Sequence, residues 1–456
     1  MQQTTNTYLK IVNFSNFKLW DVKRYYSNTT LEFKNVVALG DILVAYKKPI
    51  SKAELKKNHW QIISKINFSG ELFLRNYEDI TSYKGNCNLV PDNSIIYSKI
   101  NVRHGCIYFH EKGKTPFGVS NEYPVYTFDD SKVNGYFLQK LLRSKAFKNL
   151  LNTKTTGISK TRVKQDEFLN IQIPLPTLIE QEKIINAYKR KVQESLLLES
   201  EANILEKEIE KFLFSELGVN ININININTN KSKLLQFIDF NNTSRWDTLF
   251  LLGKLPNLIA KFEKVKFVNI IKYFNKGENN KSIRIDTCKF PEDNFRYIGM
   301  EHIEKGTGNL LKLLNVKGKE IKSQTLRVPN DFFIYGKLRP YLNKYWINNT
   351  DFDNIICSSE FFVFTIHNDI NKQFFKYILA SKIIQNQISD KTSGARMPRI
   401  NEDIFFNLEF PLPPKEIQKK IADTIDLIII KMEELKIQAI EQVKIASLQF
   451  EQEIFS

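Results

Sequence analysis

The apolar positions of this chain change rhythm twice, in the same way each time. Short β-rich runs that take turns with polar segments, such as Ser94–Ile100 and Phe361–Ile366, predict strands. Gly135–Leu151 and Lys372–Ser389 carry apolar residues at three- and four-residue spacing and predict helices. Beyond Pro176 and Pro413 the rhythm settles into one long series. Proline suits the first turn of a helix and not its interior, so each marks a helix start. The first series runs through Ile185, Tyr188, Val192, Leu196, Ala202, Leu205, Ile209 and Leu213, with a polar interruption at Glu199. The second runs through Ile421, Ile425, Ile428, Met432, Leu435 and Ala439, then Ala446 and Phe450 after a polar break at Gln442. Steps of four and three with Glu and Lys between them are coiled-coil spacing. A helix of ~40 residues is ~60 Å long at 1.5 Å per residue and cannot bury such a stripe alone. Its simplest partner is the other copy, antiparallel. The pairing positions are then Ile185, Tyr188, Val192, Leu196, Leu205 and Ile209 with Ile421, Ile425, Ile428, Met432 and Leu435. The alternative packs each helix on its own domain only.

The sequence repeats along with the rhythm. Residues 155–184, TTGISKTRVKQDEFLNIQIPLPTLIEQEKI, align without a gap with residues 392–421, TSGARMPRINEDIFFNLEFPLPPKEIQKKI; 12 of the 30 positions are identical, 237 apart. Trp20-Asp21 matches Trp246-Asp247. Val90-Pro91 followed by Ile96–Ile100 matches Val328-Pro329 followed by Ile334–Leu338. Ser120-Asn121-Glu122 matches Ser358-Ser359-Glu360. The offset drifts from 226 to 238 and then 237, so short insertions separate two similar folds. A period this long is a domain duplication and not a short-repeat solenoid. Each half reads as α+β without regular βαβ alternation. Between them Gly218, a helix stop, precedes VNININININTN (Val219–Asn230), which reads equally as an edge strand or a tether. The expected organisation is a first α/β head at 1–176, a long helix at 177–218, a linker at 219–243, a second head at 244–413 and a second long helix at 414–456.

Charge and missing motifs narrow the function. A formal charge of +16 favours a polyanionic partner, nucleic acid being the commonest; the bland alternative is a solubility charge. There is no phosphate-binding G-x-x-x-x-G-K-S/T loop, and Gly306-Thr307-Gly308 lacks the third glycine of a dinucleotide fingerprint. No Asp/Asn-Pro-Pro-aromatic tetrapeptide is present, and there is no convincing Pro-Asp…Asp/Glu-x-Lys nuclease arrangement. His59, His104, His110, His302 and His367 form no metal-ligand spacing, and Cys87, Cys106, Cys288 and Cys357 form no C-x-x-C pair. The first residues lack a signal-peptide pattern, and no apolar run approaches ~18 residues. The chain reads as a cytoplasmic binder without a membrane span, a metal or a catalytic centre of its own.

The candidate contacts are basic residues interleaved with tyrosines. Lys99 and Arg103 in the first half have counterparts in Lys337, Arg339 and Lys344, with Tyr341 among them. Arginine can bond guanine bidentately; lysine and tyrosine can position phosphates. The Gly-containing loops of the repeated block add Lys160 and Arg162 in the first copy, Arg396 and Arg399 in the second. Arg162 and Arg399 occupy equivalent positions, so they read either as DNA contacts or as anchors between domain and helix.

A duplicated α/β unit, Gly-x-x-x-x-Arg before Pro-Leu-Pro, a following Gln-x-Lys-Ile and two long helices together resemble the specificity subunits of type I restriction–modification systems. The resemblance spans essentially the whole chain, and Pro174–Gln181 and Pro411–Gln418 carry it best. It implies that each head is a target recognition domain reading one part of a split DNA sequence. It implies that the paired helices act as spacer and docking site for two methyltransferase subunits. It places S-adenosylmethionine on those subunits, and ATP and Mg on a separate restriction and translocation subunit. The Asn/Ile tract departs from the usual central helical region. Two alternatives stay open: a specificity subunit of a type II-like, fused system, and a two-domain protein-binding adaptor with no DNA role.

Overall fold

The computed structural model describes residues 35–154, 163–222, 257–389 and 397–455. The chain divides into two compact units. One gathers the residues up to Glu199 with those from Lys436 on; the other runs from Ser200 to Leu435. Each long helix therefore starts in one unit and ends in the other.

The first unit is built on an antiparallel sheet of β1 (Leu43–Tyr46), β2 (Ser94–Tyr97), β3 (Ile107–His110) and β4 (Val125–Phe128), in the order β1-β4-β2-β3. The second has β5 (Ile271–Phe274), β6 (Phe333–Gly336), β7 (Tyr345–Ile347) and β8 (Phe361–Ile366), in the order β5-β8-β6-β7. The order is the same, so the sequence duplication is a duplication of topology. Both faces of each sheet are covered. In β8, Phe362, Phe364 and Ile366 join the core on one face, while Phe361 and Val363 join a second core on the other. This is why β8 is a continuous apolar run and not an alternating one.

One face carries a helix pair: α1 (Gly135–Leu142) and α2 (Lys145–Lys154) in the first unit, α4 (Lys372–Ala380) and α5 (Lys382–Ser389) in the second. The sequence pattern predicts a single helix at each place. The break comes at Ser144 and at its repeat equivalent Ser381; Ser144 Oγ accepts the Phe147 N–H at 3.1 Å and so starts the next helix. The other face carries a second sheet. In the second unit its five strands run 284–285, 325–327, 355–358, 294–298 and 314–317, with one parallel pairing, 294–298 on 355–358. The first unit keeps this plan more loosely: strands 49–50, 87–90 and 117–119, plus a hairpin of Ile63–Ile66 and Leu72–Leu74 joined through a parallel Ile62–Gly118 bridge.

The long helices are α3 (Leu178–Leu217) and α6 (Lys415–Phe455), and they pair antiparallel. Each head packs on both. The first core takes Ile184 and Ile185 from the start of α3 with Phe450 and Ile454 from the end of α6. The second takes Ile421, Ala422 and Ile425 from the start of α6 with Leu213 and Leu217 from the end of α3. The Lys145 N–H, opening α2, donates to Glu451 on α6 at 2.6 Å; the Lys382 N–H, opening α5, donates to Glu210 on α3 at 3.0 Å. Of the expected seam, Ile185, Ile421 and Ile425 are buried, and Tyr188, Val192, Leu205, Ile209, Ile428, Met432 and Leu435 are half-buried. Leu196 is a correction. It is 53% exposed, and Ser195 is buried in its place, its hydroxyl donating to the Ala439 carbonyl at 2.8 Å. After Val192 the seam steps by three, not four. Serine tolerates burial here because its hydroxyl is satisfied by the Ala439 carbonyl.

The repeated Pro-Leu-Pro-x-x-x-x-Gln segment fastens head to helix. Gln181 accepts the Asn134 N–H at 2.9 Å and donates to the carbonyls of Lys132 at 3.0 Å and Pro176 at 2.8 Å. Gln418 accepts the Asn371 N–H at 2.8 Å and donates to the Pro413 carbonyl at 2.8 Å. Asn134 and Asn371 in turn cap α1 and α4. The Asn/Ile tract begins as a strand: Asn220–Asn222 pairs antiparallel with Asn257–Ile259. The rest of the tract lies outside the described residues, as do both Trp-Asp pairs.

Burial at the end of β3 sets one pH response. His110 is buried, with its ring edge-on to Phe117 at 5.0 Å. Burial pushes its pKa below the ordinary 6.5; the Thr115 carbonyl, Asp92 and Glu111 oppose the shift and Lys114 adds to it. The unfolded chain then takes up this proton first, so stability is full above the ordinary value and falls as pH drops below it. His110→Phe is expected to flatten the dependence of the unfolding midpoint between about pH 7 and pH 5. An unchanged slope would count against this source.

Candidate nucleic-acid interface

Between the second and third strands of each main sheet lies a short 3-10 turn, Val102–His104 in the first head and Pro340–Leu342 in the second. Each ends in a left-handed residue, Gly105 at φ 86° and Asn343 at φ 45°. Upstream, the Lys99 N–H donates to the Glu122 carbonyl at 3.0 Å and the Lys337 N–H to the Glu360 carbonyl at 2.8 Å. These landmarks fix the equivalences. Lys99 corresponds to Lys337. Arg103, which the sequence groups with Arg339, falls instead on Tyr341. The two turns thus occupy one place in the fold and display different chemistry.

The candidates in the second head divide by what holds them. Lys337 is half-buried; its ammonium donates to the Ser359 carbonyl at 2.8 Å and lies 4.9 Å from the Phe362 ring. Burial pushes its pKa down, against the pull of Glu360 and Glu402. Lys344 donates to the Met300 carbonyl at 2.5 Å. Arg399 is bidentate on Glu360, with both bonds 3.1 Å, and this carboxylate raises its pKa. Arg339 and Tyr341 are exposed, Tyr341 by 55%. Arg339 also sits in the left-handed region, φ 50° and ψ 57°, uncommon for a side chain of its size. In the first head Lys99 and Arg103 are half-buried, and Arg103 Nε donates to His104 Nε2 at 3.1 Å. Lys160, Arg162 and Arg396 lie outside the described residues.

The fold adds neighbours that the sequence pattern does not single out. Phe68, at the tip of the first head's hairpin, is 63% exposed with its ring 5.0 Å from His104. Arg143 stitches this hairpin to the turn, Nε donating to Gly105 at 3.0 Å. In the second head Leu311 is also 63% exposed, and its loop is tied to the turn by the Gly306 N–H on the Asn343 carbonyl at 3.2 Å. A lone apolar residue inside a polar Asn-x-Ser-Gly turn was the available signal for Phe68. Beside Lys337 opens a cleft of ≈ 800 Å³ lined by Arg284, Lys289, Lys322 and Arg327, opposed by Asp286 and Glu402. Among the described residues no group of three or more His, Cys, Asp or Glu could hold a metal ion. Among them, too, no helix is long and apolar enough to cross a membrane.

The type I restriction modification DNA specificity domain matches this sequence twice, over residues 31–207 and 260–444. The chain belongs to that family. It is a specificity subunit of the type I restriction–modification kind, the DNA-recognising part of such a system. Each match covers one head and the greater part of its long helix, so the family unit is the head-plus-helix repeat. The fold agrees with a solved chain from work on complex assembly and conformational transition of the type I R-M system: TM-score 0.57 at 14% identity, covering 92% of this chain and 98% of that one. The HsdS subunit from Thermoanaerobacter tengcongensis aligns at TM-score 0.44 and 14% identity over 92% and 96% of the two chains. The S subunit from M. genitalium aligns at 0.42 and 14% over 94% and 97%. Among curated proteins none matches.

Proposed function

We propose that this specificity subunit reads a bipartite DNA target, one half with each head, and docks the methyltransferase and restriction subunits that act on it. The observation that carries this reading is the pair of equivalent turns with different chemistry: Arg103 and His104 in one head, Arg339 and Tyr341 in the other. Equal frames with unequal tips are what two different half-sites require. The candidate contacts are Arg103, Arg339 and Tyr341 toward bases, with Lys99, Lys160, Arg162 and Arg396 toward phosphates. Docking is supported by apolar residues that the helix pair leaves exposed. The first unit shows Leu196, Leu197, Ile437 and Ile440; the second shows Ile204, Leu427 and Ile430. One set per unit fits two copies of a methyltransferase subunit. The chain itself performs no chemistry in this reading. S-adenosylmethionine, ATP and Mg belong to its partners, and the complex works in the cytoplasm.

The test is methylation mapping in cells that carry this protein with its methyltransferase, joined to a salt titration of duplex binding. The expected result is a split adenine motif, and an affinity whose logarithm falls linearly with log salt, slope about −0.9 per phosphate neutralised. No motif and no duplex binding would refute the reading and favour the adaptor.

A further inference from the structure

We propose that Arg399 is a positioning residue for base reading by the second head and not itself a DNA contact. Its pair with Glu360 holds Arg339 and Tyr341 in place. This rests on the DNA-reading function proposed above.

The segment at 398–400 lies against the reading turn as a short ladder. The Arg339 N–H donates to the Pro398 carbonyl at 2.7 Å, the Ile400 N–H donates to the Lys337 carbonyl at 3.0 Å, and Leu338 bridges Arg399. Glu360 closes the ladder from the other side. Its carbonyl accepts the Lys337 N–H at 2.8 Å, and its carboxylate takes two hydrogen bonds from Arg399, both 3.1 Å. One residue thus grips both strands of the ladder. The nearby cations Lys337 and Lys344 are turned inward onto the Ser359 and Met300 carbonyls. Arg339 and Tyr341 are the exposed candidates of this turn.

Two physical arguments favour a lock over a contact. A guanidinium already bidentate on a carboxylate must abandon it to reach a phosphate, and the carboxylate left behind repels that phosphate. Second, a non-glycine residue in the left-handed region persists only where its surroundings over-determine it. Arg339 is such a residue, and the 398–400 ladder supplies the constraint. Released, its backbone relaxes toward the common regions and its side chain points elsewhere.

The experiment uses the full-length chain with its methyltransferase subunits and a randomised duplex library; the enriched duplex and its single-base variants are then the probes. A wild-type complex that enriches no sequence would refute DNA reading itself. Where wild type does enrich one, Arg399→Ala is expected to lose about tenfold in discrimination at one half-site, the share of one bidentate base contact. The other half-site and the slope of log affinity against log salt should stay unchanged. Glu360→Gln, which keeps the arginine charge and the side-chain volume, is expected to reproduce this loss and covers the case in which Arg399→Ala fails to fold. The proposal is overturned if Arg399→Ala keeps discrimination, or if it reduces the salt slope by about one, the mark of a lost phosphate contact. It is overturned equally if Glu360→Gln leaves discrimination intact.

Discussion

Phe405→Ala is expected to cost the second unit about 3–5 kcal/mol, the range for removing a fully enclosed aromatic ring. Phe405 is completely buried, on the short helix Glu402–Phe406 that Asn401 caps. Its ring centroid lies 4.9 Å from Phe362, 5.2 Å from Phe267 and Phe364, 5.4 Å from Tyr335 and 6.0 Å from Phe274. Those rings belong to the sheet and its flanking segments. They are held by strand pairing, so they cannot close over the hole, and the cavity term adds to the lost transfer energy. A denaturant titration of the full chain measures it. The transition reporting on the second unit should shift to lower denaturant, with the first unit's transition in place. A loss under about 1 kcal/mol would mean that the aromatic cluster collapses into the space.

The repeat equivalent, Phe168, sits among Tyr97 at 4.3 Å, Tyr126 at 6.2 Å and Phe147 at 6.3 Å. This gives the repeated block a physical meaning that its basic residues obscured. Phe168 and Phe405 are core plugs. Gln181 and Gln418 are clamps. Ile184 and Ile421 lead the long helices into the head cores. The identities therefore mark where each head is fastened to its stem, and the 3-10 turns at Val102–His104 and Pro340–Leu342 lie elsewhere in sequence, among residues that differ. Architecture was legible because it rests on periodicity and on repetition, which are properties of one sequence. Ser195 was not, because an apolar count prefers Leu196 and cannot sense that the serine hydroxyl finds the Ala439 carbonyl of the facing helix. The breaks at Ser144 and Ser381 were missed because apolar spacing continues across them. The site was least legible. Which lysines and arginines face outward depends on carbonyls and carboxylates far away in sequence, such as Glu360 for Arg399 and Met300 for Lys344.

Gln181→Leu is expected to loosen the first head from its stem and to lower its stability by about 3 kcal/mol, taking the low end, ~1 kcal/mol, for each of three part-buried groups left without a partner. Leucine fills nearly the same space, so packing changes little and the loss is one of hydrogen bonding. Three groups lose their partner together: the Asn134 N–H and the carbonyls of Lys132 and Pro176. Asn134 is the residue whose side chain caps α1 through the N–H groups of Tyr136 and Phe137, so the change reaches the start of that helix. Gln418→Leu is expected to cost less, ~2 kcal/mol, because two groups rather than three are stranded there. Hydrogen exchange separates this account from a general softening. The Asn134 amide should exchange much faster in Gln181→Leu while the amides of β2 and β4 keep their protection. Equal costs for the two substitutions, or an Asn134 amide that stays protected, would show that the glutamine holds its place by shape and not by its bonds.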